Sequence, residues 1–208
     1  MGGALSAFGG ALLDLVFPPR CPACGEDPAP PSPFCTVCDG AVEPWPEAPD
    51  GIRAGALFGG PIADAVHALK YGGRPEAAGP LGRWLAGRVP VPAGAAVVWV
   101  PLGRRRLVER TYDQAMLLAA PFARAAGRPV LRGVLHRVRE TPPQVGRDRA
   151  ARARNVAGAF AALPGVAGRD LVLVDDVVTT GATVEAASLA LRSTGARSVV
   201  VVALARAE

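Results

Sequence analysis

One thirteen-residue segment constrains the fold more than any other part of the chain. Residues 171–183 have the sequence LVLVDDVVTTGAT, in which an apolar run with two embedded acids leads into a Thr-Thr-Gly-x-Thr turn. A continuous apolar run is typical of a strand covered on both faces, which is the strand type of parallel sheets. A helix that opens directly after such a strand is the usual start of a crossover connection. We therefore predict an α/β fold.

Other segments fit the same architecture. Between two of the further strands, Thr111 and Gln114 form a capping box ahead of apolar residues at helical spacing, which predicts a helix. A second helix is predicted after residue 181, with Gly195 as its left-handed stop. Three additional apolar runs are candidate strands of the predicted sheet, at residues 97–100, 130–135 and 199–203.

The turn in the 171–183 segment has the composition of a phosphate site. Backbone N–H groups at a helix start and Thr hydroxyls bind phosphate, and glycine lets the backbone approach it. The acids Asp175 and Asp176 at the strand end can accept hydrogen bonds from ribose hydroxyls or hold Mg²⁺ beside a pyrophosphate. An ordinary N-cap at Thr179 with a solvated strand end is the alternative. The predicted 5-phosphate site consists of Thr179, Thr180, Gly181, Ala182 and Thr183.

All four cysteines lie in one short window with the spacing C-x2-C-x10-C-x2-C. They are Cys21, Cys24, Cys35 and Cys38. Two such Cys pairs can close a tetrahedron around zinc, and four thiolates leave no open position for water, so the predicted metal is structural. Two disulfides are the alternative, which a reducing cytoplasm disfavours. Prolines crowd residues 28–50, so we expect a small module at 1–50 and an α/β domain at 51–208.

The positive charge of the chain is concentrated in one region. The net charge is +5, yet residues 101–154 hold thirteen arginines against four acids. Such a surface suits the phosphates of a small ligand or a nucleic acid. An arginine-biased genome is the alternative, because the chain has a single lysine, although that bias does not explain the clustering.

The apolar runs of the chain bear on its location. They fall short of the roughly 18 residues that span a bilayer. The apolar first sixteen residues lack the preceding Lys or Arg of a secretory signal. We expect a cytoplasmic protein with no membrane span.

The 171–183 segment resembles the phosphoribosyl pyrophosphate motif of type I phosphoribosyltransferases. The chain as a whole resembles the ComF competence family, which joins such a domain to an N-terminal four-cysteine zinc module. Further segments that carry the resemblance are FPPRCPACG at 17–25, VHALKYGGR at 66–74, PLGRRRLVERTYDQA at 101–115 and TPPQVGRDRAARARNV at 141–156. The resemblance implies a type I phosphoribosyltransferase-like parallel sheet with flanking helices, plus the small zinc module.

Site residues also follow from this resemblance. It implies a pyrophosphate loop at Leu102, Gly103 and Arg104, and a mobile loop at residues 141–156 that closes over the substrate. On that loop Arg147 and Arg149, together with Arg152 and Arg154, would neutralise a diphosphate leaving group, with Asp175 and Asp176 completing the catalytic set. A solvated helix is the alternative for this arginine-rich segment. Relatives commonly have Gly and Asn where this chain has Thr111 and Asp113.

Three functions remain open at this point. The ComF resemblance implies a DNA-uptake factor that binds phosphoribosyl pyrophosphate with Mg²⁺ and contacts single-stranded DNA beside a competence helicase. The first alternative is a phosphoribosyltransferase that moves ribose 5-phosphate to a nitrogen base, and the second is a non-catalytic sensor of the donor. For DNA, Trp45 and Trp84 are candidate stacking residues, whereas Trp99 is expected in the core.

Overall fold

A four-stranded parallel sheet forms the centre of the computed structural model, which describes residues 19–46, 51–140 and 156–207. Its strands, in spatial order, are β1 (Ile52–Leu57), β6 (Ser198–Arg206), β5 (Asp170–Val178) and β2 (Ala96–Trp99). Each neighbouring pair is parallel. A separate two-stranded antiparallel sheet pairs β3 (Leu135–Arg137) with β4 (Phe160–Ala162). The predicted α/β class and parallel sheet are confirmed.

Helices cover both faces of the sheet. The α-helices that lie wholly within the described ranges are α1 (Thr36–Gly40), α2 (Gly60–Tyr71), α3 (Ala78–Arg88), α4 (Arg104–Arg110), α5 (Gln114–Ala125) and α6 (Ala182–Ser193). Along β5, Val172 and Val174 join a core with α2, α3 and α5, while Leu171 and Leu173 join a second core with α6. Because side chains alternate along a strand, a continuous apolar run supplies both cores.

The helix predicted before the last strand is confirmed. Val184, Ala187 and Leu191 of α6 are buried against the sheet, and Gly195 follows with φ 94°. Among the described residues no helix has the length and apolar content needed to cross a bilayer.

Two predictions about local structure were wrong. Residues 130–135 are not a strand of the main sheet: Val130 makes a single bridge to Val97, and exposed Arg132 and Gly133 interrupt the run before β3 begins. The capping box is also absent, because α5 starts at Gln114 with Asp113 as its N-cap. The edge strand β1 was not predicted, since its sequence IRAGAL lacks a long apolar run.

The cysteine module packs directly against the α/β domain. Phe34 is fully buried, and its ring meets that of Trp84 edge to face at a centroid distance of 5.7 Å. The guanidinium of Arg74, just after α2, donates to the backbone carbonyl of Cys21 at 3.4 Å. Cys21 and Phe34 therefore belong to the same core cluster as α2 and α3.

Candidate functional site

A cleft of about 360 Å³ opens where β2 and β5 end, at the carboxyl edge of the sheet. This edge is the usual ligand position in open parallel sheets. The structure brings most of the predicted binding residues to it, namely Leu102, Asp175, Asp176, Thr179, Thr180, Ala182 and Thr183. Gly103 and Arg104 do not line the cleft. In their place α4 contributes Arg106 and Arg110, one helical turn apart.

The Thr turn forms a small cup at the start of α6. A cavity of about 40 Å³ lies inside it, lined in part by Thr179, Thr180, Gly181 and Thr183. Gly181 is the N-cap and has φ 82°, a conformation that residues with a Cβ rarely adopt. The first N–H groups of a helix have no partners within the helix and carry positive partial charge. The cup therefore has the donors that a phosphate requires.

Two acids and the chain's single lysine meet beside this cup. Asp176 is 4% exposed, and its Oδ1 lies 3.0 Å from Nζ of Lys70 at the end of α2. Its Oδ2 is buried and has no hydrogen-bond partner among the described residues. An unpartnered buried carboxylate oxygen is costly in a ligand-free protein. A hydroxyl donor or a divalent cation would satisfy it, so the site fits a ribose or Mg²⁺.

The neighbouring carboxyl group is held in an unusual state. Burial, followed by the negative charge of Asp176, raises the pKa of Asp175 to about 8, and the positive charge of Lys70 only partly offsets this rise. Asp175 also orders the strand end, because its Oδ1 accepts from the N–H of Asp176 at 2.8 Å. A bound cation would favour the ionised form of this carboxyl group.

Asp113 connects the loop after β2 to α5. Its Oδ1 accepts from the N–H of Met116 at 3.1 Å, and its Oδ2 accepts from the N–H of Leu102 at 3.0 Å. Burial raises the pKa of this carboxyl group. Both contacts need only an acceptor oxygen, which an Asn side chain also provides. Asp113 thus positions the loop on which the diphosphate contacts were predicted.

The four cysteine sulfur atoms form one cluster. All lie within 4.8 Å of one another, and the Sγ atoms of Cys24 and Cys35 are 3.6 Å apart, so they are not disulfide-bonded. Sulfurs around a tetrahedral zinc are about 3.8 Å apart for Zn–S bonds of about 2.3 Å. Burial and the adjacent sulfurs raise the pKa of Cys38, whereas backbone hydrogen bonds outweigh burial at Cys21 and lower its pKa to about 7. This geometry fits zinc.

Comparison with known proteins agrees with both parts of this architecture. Residues 12–57 match the model of a double zinc ribbon domain, and residues 116–208 match that of a phosphoribosyl transferase domain. The chain is 36% identical to the Salmonella typhi DNA utilization protein YhgH over 194 residues, covering 89% of this chain and 83% of that protein. It is also 36% identical over 115 residues to Competence protein F of Haemophilus influenzae, covering 54% and 50%. The chain belongs to the ComF family.

Two solved structures also resemble this ComF protein. One is the allosteric regulatory enzyme of purine biosynthesis, with 28% identity and a TM-score of 0.45. The other is the glutamine phosphoribosylpyrophosphate amidotransferase from B. subtilis, with 27% identity and a TM-score of 0.44. They match 62% and 68% of this chain, which spans 26% and 27% of their lengths.

The N-terminal module of this ComF protein is a zinc ribbon with a structural zinc site. The family model and the four-sulfur cluster both support zinc, and the disulfide alternative is not seen. Both candidate DNA-stacking residues are poorly placed, because Trp84 is buried against Phe34 and Trp45 is half-buried near Arg206. Arg147, Arg149, Arg152 and Arg154 lie outside the described residues.

Thr111 marks strain beside the cleft of this ComF protein. It ends α4 with φ 67°, in the left-handed region that a β-branched residue rarely occupies. Glycine adopts this conformation without that cost.

We expect Thr111→Gly to stabilise the protein. Relief of the left-handed strain should raise the free energy of unfolding by about 1–2 kcal/mol. The greater freedom of glycine in the unfolded chain should lower it by about 0.5–1 kcal/mol. The net gain should be about 0.5–1 kcal/mol, measured by urea denaturation. Thr111→Val keeps the branched side chain and should give no gain. A less stable Gly variant would contradict the assignment of strain.

Proposed function

We propose that this ComF protein binds phosphoribosyl pyrophosphate with Mg²⁺ and handles single-stranded DNA in the cytoplasm during DNA uptake. The observation that carries the proposal is the juxtaposition, in one cleft, of the Thr cup and the unpartnered Oδ2 of Asp176. A cup of hydrogen-bond donors for a phosphate, beside a carboxylate oxygen that can accept from hydroxyls, matches the two ends of a ribose 5-phosphate.

Each group in the cleft then has a role. The cup at Thr179–Thr183 binds the 5-phosphate through backbone N–H groups and hydroxyls, and Asp175 and Asp176 accept hydrogen bonds from the ribose. Arg106 and Arg110 supply positive charge for the diphosphate. Mg²⁺, where bound, neutralises diphosphate charge and would be held by the two acids. In this assignment Lys70 orients the carboxylate of Asp176 through their ion pair.

The DNA part of the proposal is supported by the relatives and by α4. The relatives are named a DNA utilization protein and a competence protein. Four of the seven residues of α4 are arginines, and none of its residues is buried. A solvated arginine helix beside a nucleotide cleft is suited to a phosphate backbone. A competence helicase is the protein partner we propose.

Asp176→Asn should weaken binding of the ribosyl donor more than binding of inorganic phosphate. The acid contacts hydroxyls and Mg²⁺, whereas the cup binds phosphate through groups that the change leaves intact. Loss of a charge-assisted hydrogen bond costs about 1.5–3 kcal/mol, or about 10- to 150-fold in affinity. Calorimetric titration with the donor plus Mg²⁺, and with phosphate alone, measures both. Equal losses for the two ligands, or native-like donor binding, would contradict the assigned roles.

Salt-dependent binding to an oligonucleotide tests the DNA role. Each phosphate contact should contribute about 0.7 to the slope of log K against log salt for a single strand. Replacing Arg104 and Arg105 by Gln should flatten that slope, while Arg124→Gln on α5 is the matched control. Absence of binding at low salt, where the electrostatic contribution is greatest, would overturn direct DNA contact.

Turnover distinguishes the transferase alternative. A transferase would release diphosphate from the donor in the presence of a nitrogen base, and a screen of bases measures that release. Binding of the donor without release of diphosphate in the presence of any base would favour the sensor or DNA-uptake function.

A further inference from the structure

A second cleft adjoins the first on the side of α2 and α4. Its volume is about 660 Å³, and the two clefts share Lys70, Arg106 and Arg110 in their walls. The rest of the wall comes from the end of α2 and from the turn between α4 and α5, including Tyr71, Thr111 and Tyr112. The donor site proposed above is built in the first cleft.

Tyr71 presents an aromatic ring to this second cleft. The residue is 67% exposed, although it is the last residue of a helix whose other face is buried. The guanidinium of Arg110 lies 4.7 Å from the ring centroid, and its Nη2 donates to the phenolic oxygen at 3.0 Å. The two groups therefore contact each other through both the ring and its hydroxyl. Exposed aromatic rings and guanidinium planes are the surfaces on which proteins stack single-stranded bases.

The charges around the pair favour a phosphate. Three cationic side chains, Lys70, Arg106 and Arg110, line the cleft. The acidic residue in the wall of the second cleft, Glu109, forms an ion pair with Arg105 at 2.9 Å, which partly neutralises its negative charge. Lys70 is likewise engaged with Asp176, and Arg110 with Tyr71, which leaves Arg106 as the cation of the shared wall without a side-chain partner among the described residues.

The wall of the cleft is preformed. The hydroxyl of Tyr112 donates to the backbone carbonyl of Leu69 at 2.7 Å, which ties the turn after α4 to α2. Thr111 stands beside it in its left-handed conformation. Strained residues of this kind persist where the surroundings hold them, and they concentrate at binding sites.

We propose that this second cleft binds a nucleotide of single-stranded DNA, with the base stacked on the Tyr71–Arg110 pair and a phosphate at Arg106. The inference rests on the proposed function and deepens it, because it places the strand in contact with the donor site. A free mononucleotide has the same chemistry, so the experiment separates the two sources. The volume of the cleft and the exposed Arg104 and Arg105 of α4 favour a strand.

Oligonucleotide binding by Tyr71 variants tests the proposal. Because one stacked base contributes about 1–3 kcal/mol, Tyr71→Leu should weaken binding of a short single strand about 5- to 150-fold. Tyr71→Phe keeps the ring and should stay within about 3-fold of the native protein. An oligonucleotide of the same length that carries abasic sites should bind Tyr71→Leu and the native protein with equal affinity, because it has no base to stack on the ring. Zinc content and the unfolding midpoint verify that each variant folds.

Three outcomes would overturn the inference. Native-like oligonucleotide binding by folded Tyr71→Leu would do so, as would an equal loss with the abasic strand. A free deoxynucleoside monophosphate that binds as tightly as the oligonucleotide would remove the assignment to DNA. Failure of the native protein to bind the ribosyl donor would instead contradict the proposed function, and that result is independent of Tyr71. Fluorescence of a strand carrying 2-aminopurine, quenched by stacking in the native protein alone, would support the inference.

Discussion

Cys21→Ser should release the zinc and produce the largest loss of stability of any single change proposed for this protein. Zinc binding contributes about 10–16 kcal/mol to folding in small zinc domains. Loss of one of four thiolates should therefore cost several kcal/mol, which lowers the unfolding midpoint by about 10 °C or more in a chain of this size. The effect should extend beyond the ribbon, because Cys21 and Phe34 belong to the core that contains Trp84.

Elemental analysis and thermal unfolding measure this result. The native protein should carry one zinc per chain, and the variant should carry none after dialysis. Val37→Ala is a suitable control, because Val37 lies within the second cysteine pair and is 82% exposed, so the metal should remain. Stoichiometric zinc in Cys21→Ser, or native protein without metal and with intact disulfides, would contradict the structural zinc site.

Lys70→Met should be the second most damaging change. It removes the cation from a buried ion pair whose Nζ and Oδ1 are 3.0 Å apart. Removing one partner of a buried pair costs about 3–5 kcal/mol, because the remaining charge is left without compensation. Chemical denaturation of the ligand-free protein measures the loss.

The pH dependence and a double variant separate this effect from lost packing. Carboxyl groups ionise in the unfolded chain above about pH 4. In the folded protein the pKa of Asp175 is about 8, so this carboxyl group stays protonated up to that pH. Because the positive charge of Lys70 lowers this pKa, loss of Lys70 should raise it further. The part of the Lys70→Met deficit that comes from Asp175 should therefore appear as the pH rises through about 8, so the deficit should be larger at pH 8.5 than at pH 6. Lys70→Met/Asp176→Asn should recover most of it, and a pH-independent deficit would contradict the charge argument.

Features encoded by adjacent residues could be predicted from the sequence. The 171–183 segment specifies a buried strand, a helix N-terminus and the acids between them, and the structure places these parts in one cleft. The cysteine spacing likewise predicted one sulfur cluster. In both cases local geometry determines the arrangement, because a turn of two or three residues leaves few conformations.

Features that depend on contacts between distant residues could not be predicted in this way. Lys70 and Asp176 are more than 100 residues apart, and only the fold shows that α2 ends beside β5. The strand β1 is recognisable from its pairing with β6 rather than from its composition. Thr111 and Gln114 have the spacing of a capping box, but Asp113 caps the helix because its carboxylate also binds Leu102.

The Lys70–Asp176 pair has a practical consequence. The chain has 208 residues and one lysine, so apart from the terminal amine it carries one primary amine, and that amine lies in the wall of both clefts. A ligand that fills either cleft would cover this amine and slow its acylation. A smaller gain in mass after brief treatment with an amine reagent would therefore report that a cleft is occupied, and neither the ligand nor the protein would need a label beforehand.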